Sequence, residues 1–106
     1  MNTIVARLTI QEGKEDEALE ALKKMAAGVE DKEPATLAYV VHRSIDNPSE
    51  IIFFELYTDD DASKAHREGE SMRAFGAAFG QLFDVSQVKI ERLERVAGVV
   101  RGSAAT

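Results

Sequence analysis

The run Ile51–Tyr57 (IIFFELY) constrains the fold of this chain more than any other segment does. Its β-branched and aromatic residues favour a strand, and successive side chains of a strand point to opposite faces. Glu55 and Tyr57 therefore share a face with Phe53. A carboxylate on so apolar a face is destabilising if the face is covered and no polar partner is present. We therefore expect this face to meet either solvent at an edge or a polar cavity.

The segments around this strand also have regular patterns. Alternating apolar residues predict strands at Thr3–Ile10, Thr36–Arg43 and Val85–Val96. Apolar residues at helical spacing predict one helix from Lys14 to about Glu30 and another from Asp59 to about Phe83. The resulting order is β-α-β-β-α-β. This order is typical of the ferredoxin-like α+β fold, which has a four-stranded antiparallel sheet and both helices on one face.

The second predicted helix contains a candidate break. Gly69 lies in the middle of its apolar stripe, and Ser71 follows two residues later. Glycine weakens a helix, and serine is a residue type that often caps a helix N-terminus. The sequence therefore predicts a kink or break here, with Ser71 as the cap of the second piece.

The face of the sheet that carries no helix is expected to be apolar and to need a cover. Large apolar groups are rarely left together in water, and two sheets packed face to face in a symmetric homodimer would bury them. We therefore expect a dimeric α+β barrel, formed by one domain over residues 1–96, with a C-terminal tail over residues 97–106. The side chains expected on this face are Val5, Ile52, Phe54 and Leu56.

Composition excludes several classes of function. The 106 residues include no cysteine, which excludes disulfides, thiolate metal sites and cysteine nucleophiles. A net charge of −6 with 13 scattered basic residues argues against nucleic acid as a partner. The acidic clusters lie at predicted helix starts and lack the spacing of a metal site, so no metal is expected. No apolar run approaches the length of a membrane span, and MNTIVARLTI lacks a signal-peptide layout, so we expect a cytoplasmic protein that does not bind membranes.

Three stretches of the chain together point to a family. They are EGKEDEALEAL, VVHRSIDNPSEIIFFELYTDDDASKAH and MRAF. Their most specific part is a glutamate and an aromatic residue on a strand, then an acidic turn, a histidine and a phenylalanine, here Glu55, Tyr57, His66 and Phe75. In these features the chain resembles the antibiotic biosynthesis monooxygenase (ABM) domain of the dimeric α+β barrel superfamily. The likeness covers roughly Thr3–Val96.

The resemblance implies a homodimer in which each chain has a pocket between its own sheet and helices. It also implies oxidation of a quinol-like or polyketide aromatic by O2 without flavin, haem or metal. The chain itself contains no GxGxxG, no P-loop and no Cys/His ligand set, so it indicates no tightly bound cofactor. The residues expected at the site are His66, Glu55 and Tyr57 as catalytic groups, and Phe53, Met72, Phe75 and Phe79 as substrate-binding groups.

One branch of the superfamily does not fit this chain. Members that degrade haem resemble one another in an Asn on the first strand, a Trp ending the third and a His late in the second helix. The corresponding places here hold Ala6, Tyr57 and about Gly76, and the chain has no tryptophan. Haem degradation is therefore not predicted.

The polar candidates also have structural interpretations. His66 lies at the margin of the helix stripe, where a half-exposed histidine often makes a single structural hydrogen bond. Glu55 could pair with Arg7, Arg43 or another basic group across the sheet. Tyr57, at a strand end, could be a core residue with a solvated hydroxyl.

The aromatic candidates also have more than one interpretation. Phe75 and Phe79 could belong to the ordinary core and not to a platform for an aromatic substrate. Tyr39 and His42 lie on opposite faces of the second strand, so at most one of them can face the pocket. The sequence does not decide which.

Three functions therefore remain open. The first is a cofactor-independent monooxygenase that oxidises a small hydroxylated aromatic or quinol-like substrate with O2. The second is a non-catalytic small-ligand-binding or structural dimer, since a fold does not fix a function. The third is an isomerase of a small carbonyl compound. An RNA-binding module of the same element order is excluded, because Glu50–Tyr57 lacks the basic, glycine and aromatic pattern that its third strand requires.

Overall fold

A computed structural model describes residues 1–101 and confirms the α+β fold. The sheet is antiparallel, and its strand order is β2-β3-β1-β4. No helix of the described residues is long and apolar enough to cross a membrane. The elements are β1 Asn2–Thr9, α1 Glu15–Lys32, β2 Thr36–Arg43, β3 Glu50–Tyr57, α2 Asp60–Glu68, α3 Glu70–Leu82, a 3-10 turn Val85–Gln87 and β4 Lys89–Leu93.

The strand register places the helix-facing residues in rows across the sheet. Glu55 on β3 lies opposite Tyr39 on β2 and Ile4 on β1. Phe53 lies in the next row, opposite Val41 and Ala6. The predicted alternation of β3 is confirmed, because Ile51, Phe53, Glu55 and Tyr57 are all buried on this face.

The break between α2 and α3 lies at Gly69, but the predicted cap is wrong. Gly69 has extended backbone angles, φ −77° and ψ 167°, and it is both the C-cap residue of α2 and the N-cap residue of α3. Ser71 lies inside α3, and no side chain caps that helix. The helix resumes at once after the break, so its N-cap position falls on the glycine.

The fourth strand is shorter than predicted. The segment Val85–Gln87 forms a 3-10 turn, and β4 begins only at Lys89. The Asp84 carboxylate stabilises the turn by accepting hydrogen bonds from the backbone N–H and the hydroxyl of Ser86. Residues 102–106 of the predicted tail lie outside the described residues.

The core lies between the helices and one face of the sheet, and the other face is open in the single chain. Val40 and Phe54 on that face are 46% and 37% exposed. Val5 and Ile52 are partly buried. The prediction that Leu56 needs a partner chain to cover it is wrong, because this side chain is only 3% exposed within one chain.

Candidate functional site

A cavity of about 480 Å³ lies between the helix-facing side of the sheet and the three helices. All four strands contribute to its wall. Most of the wall is apolar, and the polar side chains come from β2, β3 and α2. The lining residues are Ile4, Ala6, Leu8, Met25, Tyr39, Phe53, Glu55, Tyr57, Ser63, His66, Arg67, Met72, Phe75, Gly76, Phe79, Val88 and Ile90.

Glu55 and Tyr57 form a hydrogen-bonded pair in this cavity. They are two residues apart on β3 and so point to the same side. The Tyr57 hydroxyl donates to Oε1 of Glu55 over 2.5 Å, and both side chains are buried. Burial raises the pKa of Glu55 above its ordinary value of 4.5, and the hydrogen bond from Tyr57 and the proximity of His66 reduce that rise. Burial and the bond to Glu55 also raise the pKa of Tyr57, so its hydroxyl keeps its proton.

The alternative that Glu55 pairs with an arginine is wrong. Arg7 lies 3.8 Å from Glu50, on the opposite side of the sheet from Glu55. Arg43 donates from Nε to the backbone carbonyl of Pro48 over 2.6 Å. Glu55 is therefore a cavity carboxylate whose direct partner is a phenol.

His66 belongs to α2 and is buried, with 4% of its surface exposed, and not half-exposed at a helix margin. Its Nδ1 lies 2.8 Å from Oε1 of Glu33, the residue at the end of α1. The imidazole packs beside the rings of Tyr39 and Tyr57, with centroid separations of 4.8 and 5.6 Å. Because Nδ1 is hydrogen-bonded to Glu33, Nε2 is the ring nitrogen that remains available to a ligand in the cavity.

Of the two candidates on β2, Tyr39 is the one that faces the cavity. It lies opposite Glu55, and its hydroxyl is 3.6 Å from the sulfur of Met25. Burial, followed by the charges of Glu55 and Glu33, raises the pKa of Tyr39, so this phenol is also a proton-bearing donor. His42 is exposed on the other face, where its Nδ1 is 3.2 Å from the carbonyl oxygen of Ile52.

The four predicted substrate-binding side chains all line the cavity, and two of them are also part of the core cluster. The ring of Phe75 is edge-on to Phe79, with centroids 5.8 Å apart, and Phe79 stacks on Phe83 at 5.2 Å. Phe53 and Phe75 are buried, while Met72 and Phe79 are partly buried. The core and cavity-wall interpretations of the phenylalanines therefore describe the same packing.

Sequence reasoning missed three polar neighbours of this site, which are Ser63, Arg67 and Glu33. Ser63 and Arg67 lie one turn apart on α2, and Arg67 donates to the Ser63 hydroxyl over 2.8 Å. Helical spacing could have found them, because Ser63 precedes His66 by three residues and so shares its face. Glu33 carries no comparable signal, since it lies on another element and is 33 residues away from His66.

The exposed lining residues mark the mouth of the cavity. Arg67, Val88 and Ile90 are exposed. At the polar end of the cavity, Glu55, Tyr57 and His66 are buried and Tyr39 is partly buried. A ligand would thus pass an apolar rim with one guanidinium before it reaches the carboxylate, the imidazole and the two phenols. Among the described residues, no group of three or more His, Asp or Glu side chains is arranged to hold a metal ion.

This arrangement has a definite chemical capability. Glu55 and His66 can accept a proton, and Tyr39, whose hydroxyl contacts only the weak Met25 sulfur, can donate a hydrogen bond to an oxyanion. The surrounding wall is apolar, which strengthens such interactions by keeping water away. The site can therefore deprotonate a bound hydroxyl or activated C–H group and stabilise the anion.

The fold and the cavity define an α+β protein with a cavity between its sheet and its helices. The family model described as antibiotic biosynthesis monooxygenase matches residues 1–78. The chain therefore belongs to the antibiotic biosynthesis monooxygenase family, as the sequence resemblance predicted. No curated protein matches the chain.

Solved structures share this fold over most of their length. A candidate antibiotic biosynthesis monooxygenase from Caulobacter crescentus is 32% identical, with a TM-score of 0.83 and coverage of 91% of this chain and 90% of that chain. PA3566 from Pseudomonas aeruginosa is 25% identical, with a TM-score of 0.81 and coverage of 91% and 94%. Rv0793 from Mycobacterium tuberculosis is 20% identical, with a TM-score of 0.82 and coverage of 93% and 98%, and that likeness shows the fold alone.

Proposed function

We propose that this protein is a cofactor-independent monooxygenase that oxidises a small hydroxylated aromatic or quinol-like substrate with O2. The observation that carries the proposal is that two buried proton acceptors, Glu55 and His66, line the same largely apolar cavity of about 480 Å³. Membership of the monooxygenase family supports it. A volume of this size suits a compact aromatic molecule of a few rings.

Substrate binding would place the hydroxyl group at the polar end and the rings against the apolar wall. His66 Nε2 or the Glu55 carboxylate accepts the proton that the substrate loses. Tyr39 and Tyr57 keep their protons. The Tyr39 hydroxyl, whose acceptor within the protein is only the weak Met25 sulfur, donates a hydrogen bond to the resulting anion, while Tyr57 donates to Glu55. Glu55 and His66 thus act as proton acceptors. Tyr39 and Tyr57 act as hydrogen-bond donors, because burial raises the pKa of both hydroxyls.

The substrate anion itself supplies the electrons for the reaction. In an anthrone-type substrate, an activated CH2 group loses both hydrogens and gains one oxygen atom, so that it becomes a carbonyl group. The other oxygen atom of O2 leaves as water, and no external reductant is consumed. The protein contributes the proton transfers, the stabilised anion and an apolar space in which O2 can meet it.

We also propose that the working unit is a homodimer. Val40 and Phe54 lie opposite each other on β2 and β3, on the sheet face that no helix covers. Val5 continues this row on β1. A second copy packed on the same face would bury these side chains and hold the sheet that forms the floor of the cavity.

Oxygen uptake measured with a panel of quinols and anthrones tests the proposed activity. We expect uptake that depends on the protein, that is unchanged by added flavin or metal chelator, and that falls in Glu55→Gln and His66→Asn. No uptake with any member of the panel would contradict the oxygenase proposal. Substrate conversion without oxygen uptake would instead favour an isomerase that uses the same two proton acceptors.

A further inference from the structure

The carboxylate of Glu33 contacts His66 but does not line the cavity of about 480 Å³, which is called the ligand cavity below. Its Oε1 is 2.8 Å from Nδ1 of His66, and both side chains are largely removed from solvent, with 14% and 4% exposure. A bond this short between a carboxylate and a ring nitrogen requires a proton on that nitrogen, because both partners are otherwise acceptors.

The position of Glu33 is fixed independently of His66. It is the C-terminal cap of α1, and its backbone N–H donates to the carbonyl of Val29 over 3.0 Å. The Thr36 hydroxyl donates to the same Oε1 atom over 3.2 Å. The carboxylate is therefore held by the start of β2 and the end of α1 before any ligand binds.

A second cavity of about 310 Å³ adjoins this pair. Glu33, Thr36 and His66 line it together with exposed residues such as Glu70. His66 thus borders two cavities, with Glu33 on one side and the polar end of the ligand cavity on the other. Solvent can reach Glu33 from its own side without passing the ligand.

We propose that Glu33 is a positioning residue that keeps the proton of neutral His66 on Nδ1, so that Nε2 is free to accept a proton in the ligand cavity. The inference rests on the proposed role of His66 in the monooxygenase reaction. The tautomer of a histidine follows from the hydrogen bond that its other ring nitrogen makes. Without Glu33, the ring could carry its proton on Nε2, and that nitrogen could then not act as a base.

Nitrogen-15 NMR of the ring nitrogens tests this inference without a substrate. The chain has only two histidines, so a His42→Gln variant assigns the His66 signals. At a pH where the imidazole is neutral, we expect a protonated Nδ1 and a bare Nε2 in the wild-type protein. A wild-type spectrum with the proton on Nε2 would overturn the proposal.

Glu33→Leu and Glu70→Leu form a matched pair for the same measurement. Both remove a glutamate from the second cavity, but Glu70 is exposed and pairs with Lys32 at 3.2 Å. We expect Glu33→Leu to shift the two His66 nitrogen signals toward each other or to exchange them, and Glu70→Leu to leave them unchanged. An unchanged spectrum in folded Glu33→Leu would contradict the positioning role.

Kinetics add a second readout once turnover is found. We expect Glu33→Leu to lower kcat by roughly 10²-fold, on the scale of a lost general base, with KM within about threefold of wild type. A failure of the oxygenase proposal would remove this readout but not the NMR result. The two hypotheses can therefore fail separately.

Discussion

The hydroxyl oxygen of Tyr57 lies 2.5 Å from Oε1 of Glu55, two residues earlier on the same strand. This bond stabilises the ionised form of a carboxylate that burial otherwise disfavours. The pair therefore balances two opposite effects on one titrating group. Altering Tyr57 should change the acidity of Glu55 in a direction that can be stated in advance.

Tyr57→Phe removes the hydroxyl and keeps the ring. We expect the pKa of Glu55 to rise further, because the hydrogen bond that favours the carboxylate is lost while the burial remains. The loss of a bond to a charged acceptor should also lower the free energy of unfolding by about 1–3 kcal/mol. Carbon-13 NMR of the Glu55 carboxyl group measures the titration, and an unchanged or lower pKa would rule out this role for Tyr57.

Glu55→Gln should alter how stability depends on pH. Because the pKa of Glu55 is raised in the folded state, the folded protein holds this proton to a higher pH than the unfolded chain does. The resulting stabilisation is present below the ordinary value of 4.5 and is lost as the pH rises through the higher value of the folded state. Glutamine cannot ionise, so the variant should gain stability relative to wild type across this window.

Urea unfolding over a pH series measures this difference. Glu50→Gln is a suitable control, because Glu50 lies on the same strand but is only partly buried, and it pairs with Arg7. Parallel pH curves for wild type and Glu55→Gln would show that the carboxylate has no raised pKa.

We also expect turnover by Glu55→Gln to fall by about 10²-fold, since a proton acceptor is lost.

His66→Asn separates the structural bond of His66 from its proposed chemistry. The asparagine amide can still donate to Glu33, but it has no group in place of Nε2 that could accept a proton. We expect folding close to wild type, retained substrate binding and turnover lowered by about 10²-fold. Turnover within about threefold of wild type would mean that His66 is a structural residue.

Phe54→Asp tests the proposed dimer. The wild-type chain should sediment at about twice 11.6 kDa at micromolar concentration. An aspartate in the centre of the exposed sheet face should shift it to the monomer, because a charge would be buried at the interface. Ile45→Asp is the control, since Ile45 is 95% exposed in the loop between β2 and β3. A wild-type monomer at this concentration would contradict the dimer.

The sequence predicted the features that depend on local periodicity. Strand β2 has the predicted bounds, and the alternation of β3 placed Glu55 and Tyr57 on the correct face. Both follow from the two-residue repeat of a strand, which needs no knowledge of the rest of the fold. The class of the fold followed because the order of such elements allows few arrangements.

The features that sequence reasoning missed depend on the three-dimensional arrangement. Only the register between β2 and β3 shows that Tyr39, and not His42, faces Glu55. The contact between Glu33 and His66 joins the end of one helix to the middle of another, and neither position has a periodic signal for it. Ser71 failed as a cap because the helix restarted earlier, at Gly69.

Isotope labelling with ¹⁸O₂ tests most directly whether this cavity supports a monooxygenation. The measurement is the mass of the product formed from an anthrone or quinol that the oxygen-uptake panel identifies. We predict one ¹⁸O atom in each product molecule, one O2 consumed for each substrate, and loss of both in His66→Asn. Hydrogen peroxide with no label in the product, or equal labelling with wild-type protein and His66→Asn, would contradict a monooxygenase that works through this site.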